Sequence, residues 1–318
     1  MKKKGILLVV SAWCMISLLA SCGNEEALSE AQEAVNNYND QVTAYNEEVT
    51  SYNEVVEEIA EENQTLDEAI DAAQEALNQG ETPFDEETET ALDSAISDAR
   101  SAEVEEPETL ELLEELIVDE EASRSELKEL TEQAEADLES ALELDVPEIP
   151  EVPDYTEAIS VLESALQAYE DSITSMQQVT APTDEFVIER LQTIDTILEI
   201  EAVTEDHDLN GQLNKQGGYI GCIFFSDSQV DWSELYIEEG EESVLDVGTK
   251  GGGAVEIYSS VDDAETRDEY LATFDGTILA NGSHYVVGTL VIRTSKELTA
   301  TQQTELTDAI TAALTEVK

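Results

Sequence analysis

The chain has 318 residues, with 76 Asp and Glu against 13 Lys and Arg and a formal net charge of −63. So acidic a surface has no basic footprint for phosphate, which excludes nucleic acid as a partner. From Glu25 to Glu151 there are 43 acidic residues against Arg100, Arg124 and Lys128, a density that reads as exposed, self-repelling helix faces.

In chain order, Lys2, Lys3 and Lys4 precede an apolar run from Ile6 to Ala20, which passes into Leu19-Ala20-Ser21-Cys22. A run this short with a basic flank reads as a secretory signal, not a permanent span. The stretch LASC resembles the lipobox of bacterial lipoproteins. That resemblance implies that residues 1–21 are a lipoprotein signal peptide and that Cys22 is lipidated. It implies a chain anchored by that lipid to the outer face of the cell membrane. Two acyl chains suffice for this, at about 0.8 kcal/mol per buried methylene. With Cys14 removed and Cys22 acylated, Cys222 is left without a disulfide partner, and in YIGCIFF it reads as a buried small hydrophobe.

Next comes a helix with a heptad seam. Leu28, Val35, Val42, Val49, Val56, Asn63, Ile70 and Leu77 fall at position a, and Ala31, Tyr38, Tyr45, Tyr52, Ile59, Leu66 and Ala73 at d. The pattern predicts coiled-coil-like packing over 22–64 and beyond. The three Tyr-Asn pairs at 38–39, 45–46 and 52–53 then read as seam and flank, not as three copies of a site. Whether the Leu28–Leu77 seam closes within the chain or in a homo-oligomer stays open.

Gly80 and Pro83 end that helix. A second helix is predicted from Asp85 to Glu103 and a third from Glu108 to Leu144, carrying Leu110, Leu113 and Ile117. The stretches LDEAID (66–71) and LDSAIS (92–97) resemble the repeated pattern of the FIVAR-type three-helix module of Gram-positive surface proteins. The resemblance implies a helical bundle over 65–146 with a cell-surface role, a cell-wall or protein partner, and no catalytic residues. PEIPEVPD places three prolines in 147–154, the signature of an extended linker. A helical hairpin is predicted over 155–204, turning at Ala181-Pro182-Thr183, its second arm carrying Val187, Leu191, Ile194 and Leu198.

Residues 205–318 change character. Strands are predicted at 217–225, 253–260 and 284–295, with helices over Asp262–Phe274 and Thr299–Val317, giving a small α+β domain with an antiparallel or mixed sheet. SVDDAETRDEYLATFDG and GSHYVVGTLVIRTS resemble a C-terminal domain shared by uncharacterised Gram-positive surface lipoproteins, a likeness that implies no activity.

Candidate chemistry is sparse. No HExxH, GxSxG or Cys/His metal spacing is present, so no catalytic, cofactor-binding or metal site is assigned. Asp206, Asp208, Asn210 and Gly211 match the first half of a calcium loop, but Gly217 stands where a bidentate Glu is needed, so a polar turn is favoured. Lys250-Gly251-Gly252-Gly253 reads as a turn before a strand. Arg267 and Arg293, rare bases in an acidic domain, either pair with carboxylates or recognise an acidic ligand. The expectation is a non-enzymatic structural, adhesion or binding lipoprotein of the cell envelope. The alternative is an envelope-acting enzyme or solute receptor, which a pocket converging on Arg267, Arg293 or His284 would favour.

Overall fold

The computed structural model of the protein describes residues 21–237, 243–277 and 280–318, with side chains from Asn24 onward. The thiol of Cys22, the expected lipidation site, and the segment before Ser21 expected to be a signal peptide lie outside the described residues. The fold is α+β, with a long N-terminal helix, further helices and an antiparallel five-stranded sheet in the C-terminal region. It divides into two compact units, Met1–Thr65 with Glu103–Tyr155, and Leu66–Ala102 with Thr156–Lys318. Among the described residues no helix is long and apolar enough to cross a membrane.

Helix α1 (Ser21–Asn78) has no Gly or Pro between Asn24 and Gln79, and the first unit is built on its part up to Thr65. Its seam is buried inside this one chain: Val35, Val42, Val49 and Val56 at a, and Tyr38, Tyr52 and Ile59 at d. Two segments cover it. Helix α3 (Arg124–Leu142) starts at a capping box between Ser123 and Glu126, and its Leu127, Ala134 and Ala141 pack against α1.

The second covering segment corrects the expected third helix. Residues 103–119 form no helix. Asn39, Asn46 and Asn53 each clasp one residue of this segment with both ends of the side-chain amide. Nδ2 of Asn39, Asn46 and Asn53 donates to the carbonyls of Leu116, Leu113 and Leu110, at 2.8, 2.9 and 2.9 Å. The N–H groups of the same leucines donate back to Oδ1, at 2.9, 2.8 and 2.8 Å. Seven helical residues rise about 10.5 Å, and three residues of a polyproline-like or β strand span about 9.3–10 Å. Seven on the helix therefore match three on an extended strap running antiparallel to it. Pro107, Leu110, Leu113 and Leu116 are half-buried with a period of three, whereas Ile117, which a helical seam would bury, is 86 % exposed.

The next rung would pair position 60 with 107. Position 107 is a proline with no N–H, and the helix carries Ala60 there. One step on, Asn63 Nδ2 donates to the Val104 carbonyl (2.9 Å), while the Tyr155 hydroxyl accepts from the Val104 N–H and donates to Asn63 Oδ1. The polar break in the heptads is thus a hydrogen-bonding position.

In the second unit, α2 (Glu86–Ala102) packs along α4 (Thr156–Gln178). Tyr169 of α4 donates to the Glu81 carbonyl. The helices that the three-helix resemblance groups together therefore fall in different units, α2 beside α4 and α3 beside the first half of α1. The predicted hairpin is also corrected. Its second arm is the short α5 (Asp184–Leu191), capped by Thr183, and the chain then enters β1 (Ile197–Ala202). Thr193, Ile194, Thr196, Ile197 and Ile200 are β-branched, which favours strand over helix. Leu198, predicted inward, is 65 % exposed.

The strands β2 (Gly221–Asp227), β3 (Gly252–Ile257), β4 (His284–Val287) and β5 (Leu290–Thr294) complete a sheet of order β1-β2-β3-β5-β4. The predicted single strand at 284–295 is a hairpin turning at Gly288, whose φ of 56° suits glycine. On one face, Ile223, Phe225, Val255, Ile257 and Ile292 meet α5 and α8 (Ala300–Thr315). Arg190 ties these helices, donating to the Glu316 carbonyl (2.9 Å). On the other face, Cys222, Phe224, Ala254, Tyr258 and Val291 form a second core with Ala264 of α7 (Val261–Ala272).

Candidate binding site

Strand alternation puts Ala254, Glu256 and Tyr258 on the α7 face of β3, and Val255 and Ile257 on the opposite face. Register then sets a polar row across that face. Cys222 pairs with Glu256, Ala254 with Arg293, and Arg293 with His284. Helix α7 crosses above and adds Arg267.

Glu256 is fully buried and accepts four hydrogen bonds. Arg267 gives two, Nε to Oε2 at 2.8 Å and Nη2 to Oε1 at 3.0 Å. Arg293 Nη1 gives one at 2.8 Å and the Tyr258 hydroxyl one at 2.9 Å. Burial pushes the Glu256 carboxyl up, but the hydrogen bonds of Arg267 and the two guanidinium charges outweigh it and hold the group below its usual value. Burial opposes the charge on Arg267 too, and bonding to Glu256 overrides it. Tyr258 is pushed far up by burial and by the Glu256 charge beside it. Two arginines thus share one carboxylate and leave an excess positive charge at the cluster.

A cavity of about 320 Å³ opens beside this cluster, lined by Arg267, Arg293 and His284. It is of a size for a small ligand. Tyr270 and Phe274, an edge-to-face pair with ring centroids 5.2 Å apart, form an apolar wall with Leu271. Tyr270 is 55 % exposed, and the Arg267 guanidinium lies 5.6 Å from its ring centre. The segment Asn281-Gly282-Ser283 forms another part of the lining. Gly282 has φ 102°, and a Cβ there would lie 1.9 Å from the Thr294 carbonyl oxygen, so only glycine lets this segment lie against β5.

His284 is fixed from both sides. Its Nδ1 meets Asp268, and its Nε2 lies 3.4 Å from Asp275, which also lines the cavity. The Ser283 hydroxyl bonds to the Thr294 hydroxyl at 2.6 Å, so the serine nearest the histidine is engaged elsewhere. The Cys222 thiol is fully buried, and burial followed by the Glu256 charge raises its pKa well above the usual thiol value.

The half calcium loop plays a different part. Asp208 accepts from Asn210 N–H (3.1 Å), Leu213 N–H (2.9 Å) and the Tyr219 hydroxyl. Burial raises this carboxyl, but the Leu213 N–H, the Tyr219 hydroxyl and the Gly211 and Gln212 N–H groups outweigh it and leave its pKa lowered. The loop is an Asx turn about Asp208 that delivers Asn210 to the cavity. Lys250 is exposed at a turn before β3. The glycines beside it admit Trp232, since a Cβ on Gly251 would lie 2.6 Å from the indole.

Arg267, Arg293, His284 and Asn210 were all visible as candidates in the sequence, and the structure brings them together. Glu256 and Asp275 were missed. The signal for Glu256 was a lone carboxylate inside the strand GAVEIY, on the same parity as Ala254 and Tyr258. Compared with family models, with curated proteins and with solved structures, the chain matches none.

Proposed function

We propose that this chain is a lipid-anchored, extracytoplasmic binding protein of the cell envelope, and that the cavity at Arg267, Arg293 and His284 is its ligand site. The observation that carries the reading is the convergence itself. Three rare basic or titratable side chains, from α7, β5 and β4, line one cavity with an aromatic wall. The anchor rests on the sequence from Lys2 to Cys22, and the acidic first unit supplies no basic surface to hold a membrane by charge. Binding is favoured over hydrolysis because the Ser283 hydroxyl is paired with Thr294 and the Cys222 thiol is buried, which leaves neither placed as a nucleophile at His284.

The test is equilibrium dialysis of the full chain in mild detergent against the dialysable fraction of an envelope extract, read by mass spectrometry. A compound retained by the wild type and released by Arg293→Lys supports the reading. No retained compound, or equal retention by the variant, ends it. Cys22→Ala should move the protein from the membrane to the soluble fraction, and continued membrane attachment would end the anchor.

A further inference from the structure

The charges around the cavity restrict what can enter it. At its floor stand Arg267 and Arg293, with Glu256 neutralising one of the two. Arg293 spends Nη1 on Glu256, whereas Arg267 spends two nitrogens, so Arg293 keeps donors for an incoming anion. At the other end stands Asp275, 57 % exposed, with Asp268 behind His284. His284 lies between the two ends: it is the cross-strand partner of Arg293 and the neighbour of Asp275. A simple anion would meet Asp275, and a simple cation would meet the arginines. A ligand with a carboxylate at one end and an ammonium at the other meets neither conflict. Tyr270, Leu271 and Phe274 offer an apolar surface for a side chain, and Asn210 and Asn281 add amide donors and acceptors.

We infer that the cavity takes a small dipolar ligand, a free α-amino acid or short peptide with an apolar side chain. Its carboxylate sits on Arg293, its ammonium on Asp275 and its side chain against Tyr270 and Phe274. This rests on the reading of the cavity as a ligand site. Arg293 is the rigid end, buried on a central strand and held by Glu256. Asp275 is the accessible end, after the C-terminus of α7.

The experiment is calorimetric titration of the full chain in mild detergent with L-leucine, alanyl-leucine, N-acetyl-leucine and leucinamide. Leucine or alanyl-leucine should saturate, and the stronger of the two separates an amino-acid site from a peptide site. N-acetyl-leucine, lacking the ammonium, and leucinamide, lacking the carboxylate, should each bind at least tenfold more weakly. Arg293→Lys should abolish binding. Because that residue is buried, Asp275→Asn and Tyr270→Ala provide exposed controls. Asp275→Asn should weaken leucine about tenfold and leave N-acetyl-leucine unchanged, and Tyr270→Ala should weaken both. Equal affinity for leucine and N-acetyl-leucine, or no saturable heat with any of the four, overturns the inference. If envelope dialysis nevertheless retains a non-dipolar compound, the ligand class is wrong and the binding function stands.

Discussion

Replacing Asn46 by alanine should loosen the strap while improving the helix that carries it. Alanine is the better helix former by about 0.5–0.7 kcal/mol, so α1 alone predicts stabilisation. The comb predicts the reverse. Asn46 makes two hydrogen bonds to Leu113, at 2.9 and 2.8 Å, both partly buried. At about 0.5–1.5 kcal/mol each, their loss costs about 1–3 kcal/mol. The assay is amide hydrogen exchange, with Leu113 N–H as reporter because its acceptor is the Asn46 side chain. Local opening should become about 5- to 150-fold more frequent, with smaller effects at Leu110 and Leu116. The converse test rebuilds the absent rung. In a double-mutant cycle, Ala60→Asn with Pro107→Ala should stabilise by about 1 kcal/mol more than the two single changes added. Unchanged exchange at Leu113, or no coupling in that cycle, would refute the seven-to-three register.

Three further outcomes follow from the charges. Glu256→Gln should cost about 3–5 kcal/mol at neutral pH, since it leaves the buried Arg293 and the half-buried Arg267 guanidinium groups without their shared carboxylate charge. The folded Glu256 pKa is lowered, so its stabilisation is present above the unfolded carboxylate value, about 4.3. It is lost as pH falls through the lower folded value, and the variant should show a flatter acid limb in urea titrations. Cys222 should resist a thiol-alkylating reagent in the native protein and react at once in urea, and labelling of the native protein at the free-thiol rate would contradict its burial. Residues 24–65 and 103–155 carry 33 Asp and Glu against Arg124 and Lys128. Melting of this unit, followed by helical circular dichroism, should therefore shift upward as salt shortens the screening length from roughly 30 Å at 0.01 M to about 3 Å at 1 M.

Much of the N-terminal helix was legible because its periodicity is local. Val at a and Tyr at d recur every seven residues; the four valines, Tyr38 and Tyr52 are buried and Tyr45 is half-buried. What covers them was not legible. Leu110, Leu113 and Ile117 fit a helical spacing, while Pro107, Leu110, Leu113 and Leu116 fit a period of three. Only the asparagines 57–77 residues away in sequence decide between them. The same holds at the hairpin, where Val187 and Leu191 are helical but the β-branched run from Thr193 to Ile200 ends the helix and starts the edge strand. In the cavity, residue types were readable and their convergence was not. His284 and Arg293 meet through strand register, and Arg267 reaches Glu256 only because α7 folds back over β3.

The central claim is that the cavity at Arg267, Arg293 and His284 holds a ligand. Native mass spectrometry of the full chain, released from membranes in mild detergent, tests it most directly. The account predicts a wild-type population heavier than the lipidated chain by one small molecule, and loss of that population in Arg293→Lys with the fold intact. A wild-type chain that carries no adduct, or an adduct that survives in the variant, would contradict it.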